Sequence, residues 1–183
     1  MHAPMKKLAL ALAVTGLFAF AVPASASIET PEAKEEASSA AFMANLHMEE
    51  VFGAKRPKPG QYLWRKGQFE GEPKVVVSIS EQLAYLYRGE ELVAVAAIST
   101  GVDEHPTPTG IFSVRLKKPM HRSIKYVLAP MPFMQMIDQY GIALHAGHNP
   151  GYPASHGCIR LPSEFAKRLY AITDLGATVM VGA

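Results

Sequence analysis

The sequence predicts a mainly β domain, a sandwich or a barrel, with one or two short helices. Three observations predict it: several short β-branched runs, the Pro and Gly residues that separate them, and a single clear amphipathic helix pattern near the C-terminus. Short strands separated by turn signals are typical of these two architectures. With 183 residues, the chain has about the length of one domain, so we expect one folded unit.

The predicted strands follow one another from residue 75 onward. Residues 75–79 form a short β-branched run. Residues 83–87 and 92–98 flank a turn at Gly89 and predict a hairpin. Residues 111–116 alternate as a half-buried strand does. Three further runs are strand candidates: 124–128, 141–144 and 178–181.

One helix is predicted after the strands. Phe165, Leu169 and Ile172 are spaced i, i+4 and i+7, which places them on one helical face. Gly176 follows as a stop signal. We therefore expect a helix that packs this face on the strands.

The N-terminal third has a different composition. Residues 1–26 resemble a cleavable export signal, with two lysines, an apolar run at 8–22 and the small-residue pattern Ala24-Ser25-Ala26. An uncleaved N-terminal anchor is the alternative. Residues 27–73 are predicted to be a flexible tether, up to about residue 41, and an irregular lead-in to a domain at 74–183, with a short amphipathic helix at 42–52. An exported location in the periplasm or cell envelope follows from the signal.

The charge of the exported chain excludes some partners. The whole chain carries 18 basic and 16 acidic residues. Lys6 and Lys7 belong to the signal, so the remainder has 16 of each. A net charge of zero gives no support for a nucleic-acid partner or for binding to an anionic membrane. We expect no membrane insertion after the signal is cleaved.

Residues 145–162, HAGHNPGYPASHGCIRLP, are predicted to carry the chemistry. They include Cys158, the single cysteine of the chain, which has no partner for an internal disulfide. A histidine beside a cysteine takes its proton and activates it as a nucleophile. Two histidines are placed to do so, His156 at i−2 and His145 across a loop, and the spacing does not rank them.

Other residues of this segment suit supporting roles. Gly157 permits backbone angles that would aim the amides of Gly157 and Cys158 inward as an oxyanion hole. Arg160 offers a fork of donors for a carboxylate. Two alternatives remain open. The first is a zinc site, because the patterns H-x-x-H and H-x-C supply four potential ligands: His145, His148, His156 and Cys158. The second is a structural loop whose histidines cluster without a chemical role.

The motif Ser155-His156-Gly157-Cys158-Ile159-Arg160 closely resembles the L,D-transpeptidases of the YkuD catalytic-domain family. The resemblance extends over about residues 74–181, with similar segments at 99–101, 106–112 and 141–145. It implies a YkuD-like β-sandwich in which Cys158 is the nucleophile, His145 the general acid/base and His156 a supporting donor near the oxyanion. We further expect Ser155 and Arg160 to contact substrate, although many members of the family have asparagine where Arg160 stands, and we expect no metal or cofactor to take part.

The resemblance further implies work on peptidoglycan stem peptides. Cys158 would form a thioester with a tetrapeptide stem, release D-Ala, and pass the acyl group to an amine. The acceptor would be another stem, giving a 3→3 cross-link, or an envelope protein. L,D-carboxypeptidase activity, with water as acceptor, and a non-catalytic peptidoglycan-binding module are the alternatives.

Overall fold

The computed structural model describes residues 28–126 and 128–183, which form two β-sheets and two helices. The signal peptide predicted for residues 1–26 lies outside the described residues. In chain order, the elements are α1 (Pro31–Phe52), β1 (Tyr62–Trp64), β2 (Pro73–Ser78), β3 (Leu83–Arg88), β4 (Glu91–Ala97), β5 (Gly110–Ser113), β6 (Leu116–Arg122), β7 (Pro130–Met136), β8 (Ala143–Ala146), β9 (Ile159–Leu161), α2 (Ser163–Ile172) and β10 (Thr178–Gly182). The predicted mainly β class is confirmed.

The first sheet has six strands in the order β1-β4-β3-β2-β10-β5. The predicted hairpin is present as β3 and β4, with Arg88 paired to Glu91. Its turn lies at Gly89, whose φ of 56° is readily adopted only by glycine and a few other residues. The last strand, β10, lies parallel to β2 and antiparallel to β5, so the C-terminus is locked inside this sheet.

The second sheet has four strands in the order β6-β7-β8-β9, with β8 and β9 parallel. The single strand predicted at 111–116 is wrong in extent, because β5 ends at Ser113 and Leu116 begins β6 in the other sheet. Phe112 and Val114 are buried as predicted, but Leu116 is 37% exposed. The strand predicted at 124–128 is also wrong, because residues 124–126 and 128 form the turn between β6 and β7.

The main core lies between the sheets and α2. The alternate residues Val75 and Val77 of β2 point into it, as do Phe165 and Leu169 of α2. Phe165 and Leu169 are fully buried, which confirms the predicted apolar face of α2. Strands β8 and β9 of the four-stranded sheet pack on the same core, which fixes their position. Both strands contribute to the site described below.

Helix α1 begins at Pro31 and runs for 22 residues, so the flexible tether predicted up to residue 41 is wrong, whereas the short helix predicted at 42–52 is present as the second half of α1. Thr30 caps it, with its hydroxyl oxygen accepting a hydrogen bond from the Ala33 amide at 3.3 Å. A stripe of small or flexible residues packs on the outer face of the six-stranded sheet: Ala33, Ala37, Ala41, Ala44 and Met48. The contact between α1 and β10 is close: a Cβ added to Gly182 of β10 would lie 2.6 Å from the carbonyl oxygen of Ala37. The same small residues that predicted disorder therefore permit the helix to approach the sheet.

Both faces of the six-stranded sheet are therefore covered. Val76 of β2 and Tyr85 of β3 point toward α1, whereas their neighbours in sequence point into the main core. Strands that are buried on both faces consist of nearly continuous apolar residues and do not alternate between apolar and polar ones. Within the part of the chain that the structure describes, neither helix is both long and apolar enough to cross a membrane.

Candidate active site

A cavity of about 1020 Å³ lies against the four-stranded sheet. Met131, Met134 and Met136 of β7 form part of its wall. Five of the six predicted site residues also line it: His145, Ser155, His156, Cys158 and Arg160. The sixth, Gly157, is buried within the turn between His156 and Cys158. The structure thus brings the predicted residues together in one place.

The pairing of β8 with β9 explains why His145 and Cys158 share this cavity. The two strands are parallel, with His145 opposite Arg160, and Cys158 immediately precedes β9. Side chains alternate between the faces of a strand. The face directed into the main core carries Leu144, Ala146, Ile159 and Leu161. His145, Cys158 and Arg160 therefore lie together on the opposite face, toward the cavity.

The thiol of Cys158 is held in a partly buried position. Its Sγ donates a hydrogen bond to the carbonyl oxygen of Gly141 at 3.7 Å. Burial raises the pKa of the thiol most, and the charge of Asp138 adds to this; the Ala143 backbone and the Arg160 guanidinium act in the opposite direction. A raised pKa means that the resting group is a thiol at neutral pH, so it needs a base when it reacts.

His145 has the position of such a base. It is only 7% exposed, and its Nδ1–H donates to the carbonyl oxygen of Ala146 at 2.8 Å. This bond fixes the tautomer and leaves the lone pair of Nε2 free to accept a proton. Burial lowers the pKa of His145, although the bond to Ala146 opposes that shift. The imidazole is therefore neutral at pH 7 and able to accept a proton.

The turn that delivers Cys158 is organised by Ser155. The Ser155 hydroxyl donates to the carbonyl oxygen of Cys158 at 2.5 Å and accepts from the Gly157 amide at 3.1 Å. The predicted oxyanion hole is wrong in one of its two donors, because the Gly157 N–H is already bonded inside the turn. A serine hydroxyl two residues before an amide commonly closes such a turn. Ser155 was expected to contact substrate, but its hydroxyl forms both of its hydrogen bonds within this turn, to Cys158 and Gly157.

Gly157 itself is required by space and conformation. Its φ is +107°, and a Cβ at this position would lie 2.6 Å from Cδ1 of Ile142. On its other side, Thr107 donates its hydroxyl proton to the Gly157 carbonyl oxygen at 2.8 Å and accepts from the Gly101 amide at 2.9 Å. Gly157 is therefore held between two loops, which fixes the direction in which Cys158 leaves the turn.

Residues 99–101 anchor the same turn to the first sheet. Ser99 and Arg160 exchange two backbone hydrogen bonds, at 3.0 and 2.9 Å. The backbone amide of Ser155 donates to the carbonyl oxygen of Thr100 at 3.0 Å. Thr100 is in turn bonded on both sides by the side chain of Gln82, at 2.7 and 3.0 Å. These bonds form a scaffold that spans both sheets and holds the loop at 99–101, the turn at 155–158 and β9 in a fixed arrangement.

His156 is exposed and takes part in an aromatic stack at the rim of the cavity. Its ring lies 4.3 Å from that of Tyr126, with an interplanar angle of 22°, and 5.1 Å from that of His105. Three loops that are distant in sequence meet in this stack. The structure places His156 beside Cys158 but in a setting quite different from the buried setting of His145.

The cavity is rich in groups that carry or accept positive charge. Arg160 lines it with part of its side chain packed on Gly147, and Lys125 and four histidines also line it. Among the described lining residues there is no Asp or Glu. Arg160 also forms no ion pair with any described residue. This lining is complementary to an anionic ligand.

The zinc interpretation depended on four residues of this segment. His145 is buried, His148 and His156 are exposed, and Cys158 is half-buried. In residues 28–126 and 128–183, no group of three or more His, Cys, Asp or Glu side chains is arranged to hold a metal ion.

Comparison with protein families gives a match to the L,D-transpeptidase catalytic domain, YkuD, over residues 72–181. The chain belongs to this family. A comparison with curated proteins found no match. Among solved structures, an L,D-transpeptidase from Mycobacterium smegmatis has a TM-score of 0.57 at 20% identity, covering 61% of this chain and 59% of that chain. One from Stackebrandtia nassauensis also has a TM-score of 0.57, at 22% identity and with coverage of 75% and 65%.

A third solved structure contains a bound compound. It is L,D-transpeptidase 3 from Mycobacterium tuberculosis in complex with a faropenem-derived adduct, with a TM-score of 0.55 at 23% identity and 61% coverage of both chains. At such identities the likeness is one of fold. The present member of the family spans less than two thirds of the length of each of these three structures. Helix α1 precedes the matched region of the family domain.

Sequence reasoning missed four residues of this site. They are Thr107, Tyr126, Asp138 and Gly141. Thr107 lies inside the Pro-Thr-Pro-Thr-Gly string of residues 106–110, where the resemblance to the family is visible but the role of this hydroxyl is not. The Asp138-x-x-Gly141 spacing is a turn signal that the sequence did carry. Nothing in the sequence pairs Tyr126 with His156, because their contact joins loops 30 residues apart.

Proposed function

We propose that this protein is a peptidoglycan L,D-transpeptidase that uses Cys158 as its nucleophile. The observation that carries the proposal is the placement of His145 and Cys158 on one face of the β8–β9 pair, inside a large cavity whose described lining residues include no acid. Family membership supports the activity class. The substrate is a tetrapeptide stem, whose carboxylates suit a cavity that contains Arg160 and Lys125.

The first half-reaction is an acylation. As Sγ of Cys158 attacks the carbonyl carbon of the third stem residue, the thiol proton passes to Nε2 of His145. The tetrahedral intermediate then collapses: the C–N bond breaks, and the amine of D-Ala leaves with the proton that His145 returns. The product is a thioester between Cys158 and the stem. The backbone amide of Cys158 and the ring of His156 are the donors we assign to the oxyanion.

The second half-reaction restores the enzyme. An amine acceptor attacks the thioester carbonyl and gives its proton to His145, and Sγ leaves and regains a proton. A diamino acid of a second stem as acceptor gives a 3→3 cross-link, and a lysine of an envelope protein gives an anchored protein. With water as acceptor the same residues perform L,D-carboxypeptidase chemistry. Arg160 is assigned to a carboxylate of the bound peptide.

The location of the reaction follows from the same proposal. Peptidoglycan lies outside the cytoplasmic membrane, and the export signal predicted for residues 1–26 would deliver the domain there. No metal or cofactor has a step in this scheme, since a thiol and an imidazole suffice for acyl transfer.

A product assay tests the proposal. The purified chain from Ser27 onward is incubated with a disaccharide-tetrapeptide, and the products are identified by mass spectrometry. We expect cross-linked dimers and free D-Ala. Tripeptide with D-Ala but no dimer would assign the carboxypeptidase activity instead. Unchanged substrate that nevertheless protects Cys158 from iodoacetamide would identify a binding module and contradict the proposal.

A further inference from the structure

Asp138 is a buried acid beside the cavity whose position the mechanism above does not explain. Its side chain belongs to the loop between β7 and β8 and is only 2% exposed. Its Oδ1 accepts three backbone hydrogen bonds, from Tyr140 at 2.9 Å and from Gly141 and Ile142 at 2.8 Å. One oxygen thus holds three successive amides of this short loop.

The loop that Asp138 holds is the one that contacts the thiol. Gly141, with a φ of +96°, presents its carbonyl oxygen to Sγ of Cys158 at 3.7 Å. The next residue, Ile142, has its Cδ1 close against Gly157. A backbone bond from Ile137 to the Ile142 carbonyl, at 2.9 Å, closes the loop at its base. Asp138 therefore acts on both Cys158 and the turn that carries it.

We propose that Asp138 is a positioning residue for Cys158, because its carboxylate folds the loop at residues 137–142 so that the Gly141 carbonyl meets the thiol. The inference depends on the proposed function only in naming Cys158 as the nucleophile. Without the three bonds the Gly141 carbonyl loses its defined direction, and the thiol loses its acceptor. A misplacement of about 1 Å near a reacting group lowers a rate by roughly 10²-fold.

The charge of Asp138 has a separate effect on the thiol. Burial is the largest cause of the raised pKa of Cys158, Asp138 raises it further, and Arg160 lowers it. His145, the neutral neighbour on the same face, adds no charge at pH 7 because its own pKa is lowered. Removing the charge of Asp138 while keeping its oxygen is therefore expected to shift thiolate formation to lower pH.

Two substitutions at Asp138 separate these effects. Asp138→Asn keeps a carbonyl oxygen for the three amides but removes the charge. Asp138→Ala removes both. Asp174→Asn is the matched control, since Asp174 is exposed, follows α2 and does not line the cavity. The measurements are the rate of iodoacetamide alkylation of Cys158 across pH 6–11 and the rate of acylation by faropenem.

We expect Asp138→Asn to acylate within about threefold of the unmodified chain, with its alkylation midpoint at a lower pH. Asp138→Ala should acylate at least about tenfold more slowly. Unchanged acylation in Asp138→Ala would overturn the inference, and an unchanged or higher alkylation midpoint in Asp138→Asn would contradict the effect of its charge on the thiol. If Asp138→Ala does not fold, Gly141→Ala replaces it, because a φ of +96° strains a side chain although a Cβ there meets no atom within 4 Å. We expect this variant to turn the Gly141 carbonyl and to slow acylation at least about tenfold, and unchanged acylation would overturn the inference. Neither alkylation nor acylation by faropenem needs a stem peptide, so these results stand even if the product assay contradicts the transpeptidase proposal.

Discussion

Thr107 offers a sharp test of how the nucleophile turn is held. It is 4% exposed, and its hydroxyl joins the Gly101 amide to the Gly157 carbonyl. Thr107→Val preserves the shape of the side chain but removes both bonds, leaving one donor and one acceptor without a partner. Each such loss in a buried site costs about 1–2 kcal/mol, so we expect the free energy of unfolding to fall by about 2–4 kcal/mol.

The matched control is Thr107→Ser, which keeps the hydroxyl and removes one methyl group, at a cost of about 1 kcal/mol. For a chain of this size, the valine variant should melt roughly 5–15 °C lower. Acylation by the disaccharide-tetrapeptide should slow by roughly 10²-fold, since Gly157 would no longer be fixed beside Cys158. Urea unfolding and intact-mass kinetics measure the two effects. Equal melting and equal acylation in the valine and serine variants would refute the account of the turn.

Three further predictions concern the base, the thiol and α1. His145→Ala should slow acylation by roughly 10²–10⁴-fold, the scale for a general base. His156→Ala removes one donor to the oxyanion and should cost less, about 10²-fold; the reverse order in single-turnover kinetics would make His156 the base. Because burial raises the pKa of Cys158, its alkylation midpoint should lie above that of free cysteine, about 8.5. A midpoint below that value would contradict the conclusion that Cys158 rests as a neutral thiol beside a neutral His145. Ala41→Leu should lower the free energy of unfolding by about 1–3 kcal/mol through overpacking, against less than about 0.5 kcal/mol for Ser39→Leu on the exposed face, and equal urea midpoints would mean that α1 is not packed as described.

The sequence predicted the elements whose patterns are local. The hairpin of β3 and β4, the strand β10 and the apolar face of α2 follow directly from residue spacing, and the structure has all three. The resemblance to the family added a preference for His145 over His156 that spacing did not provide. The burial of His145 and its bond to Ala146 agree with that preference.

The errors have physical causes. The first half of helix α1 has the alanine-rich, charged composition typical of a disordered tether, yet the same alanines allow close packing on the sheet. Strand β7 was not predicted because Pro130 and Pro132 are strand breakers. Both prolines lie where β7 pairs only with β6; β8 begins to pair at Gln135. A proline without an amide donor is tolerated on such an unpaired side.

The site residues that were missed all act through contacts that are distant in sequence. Thr107 bonds to Gly157 across 50 residues, and Asp138 acts on Cys158 through the fold of a loop. Tyr126 reaches His156 by stacking. A single sequence specifies such contacts only through the complete fold, so spacing alone does not reveal them.

The formation of a thioester at Cys158 is the central claim, and the mass of the intact protein tests it most directly. The chain from Ser27 onward is mixed with the disaccharide-tetrapeptide, quenched in acid within seconds and analysed together with a Cys158→Ser variant. The account predicts an adduct equal in mass to the substrate less D-Ala, located on Cys158 by peptide mapping and absent from the variant. An adduct on another residue, or D-Ala release by the Cys158→Ser variant at the unmodified rate, would contradict it.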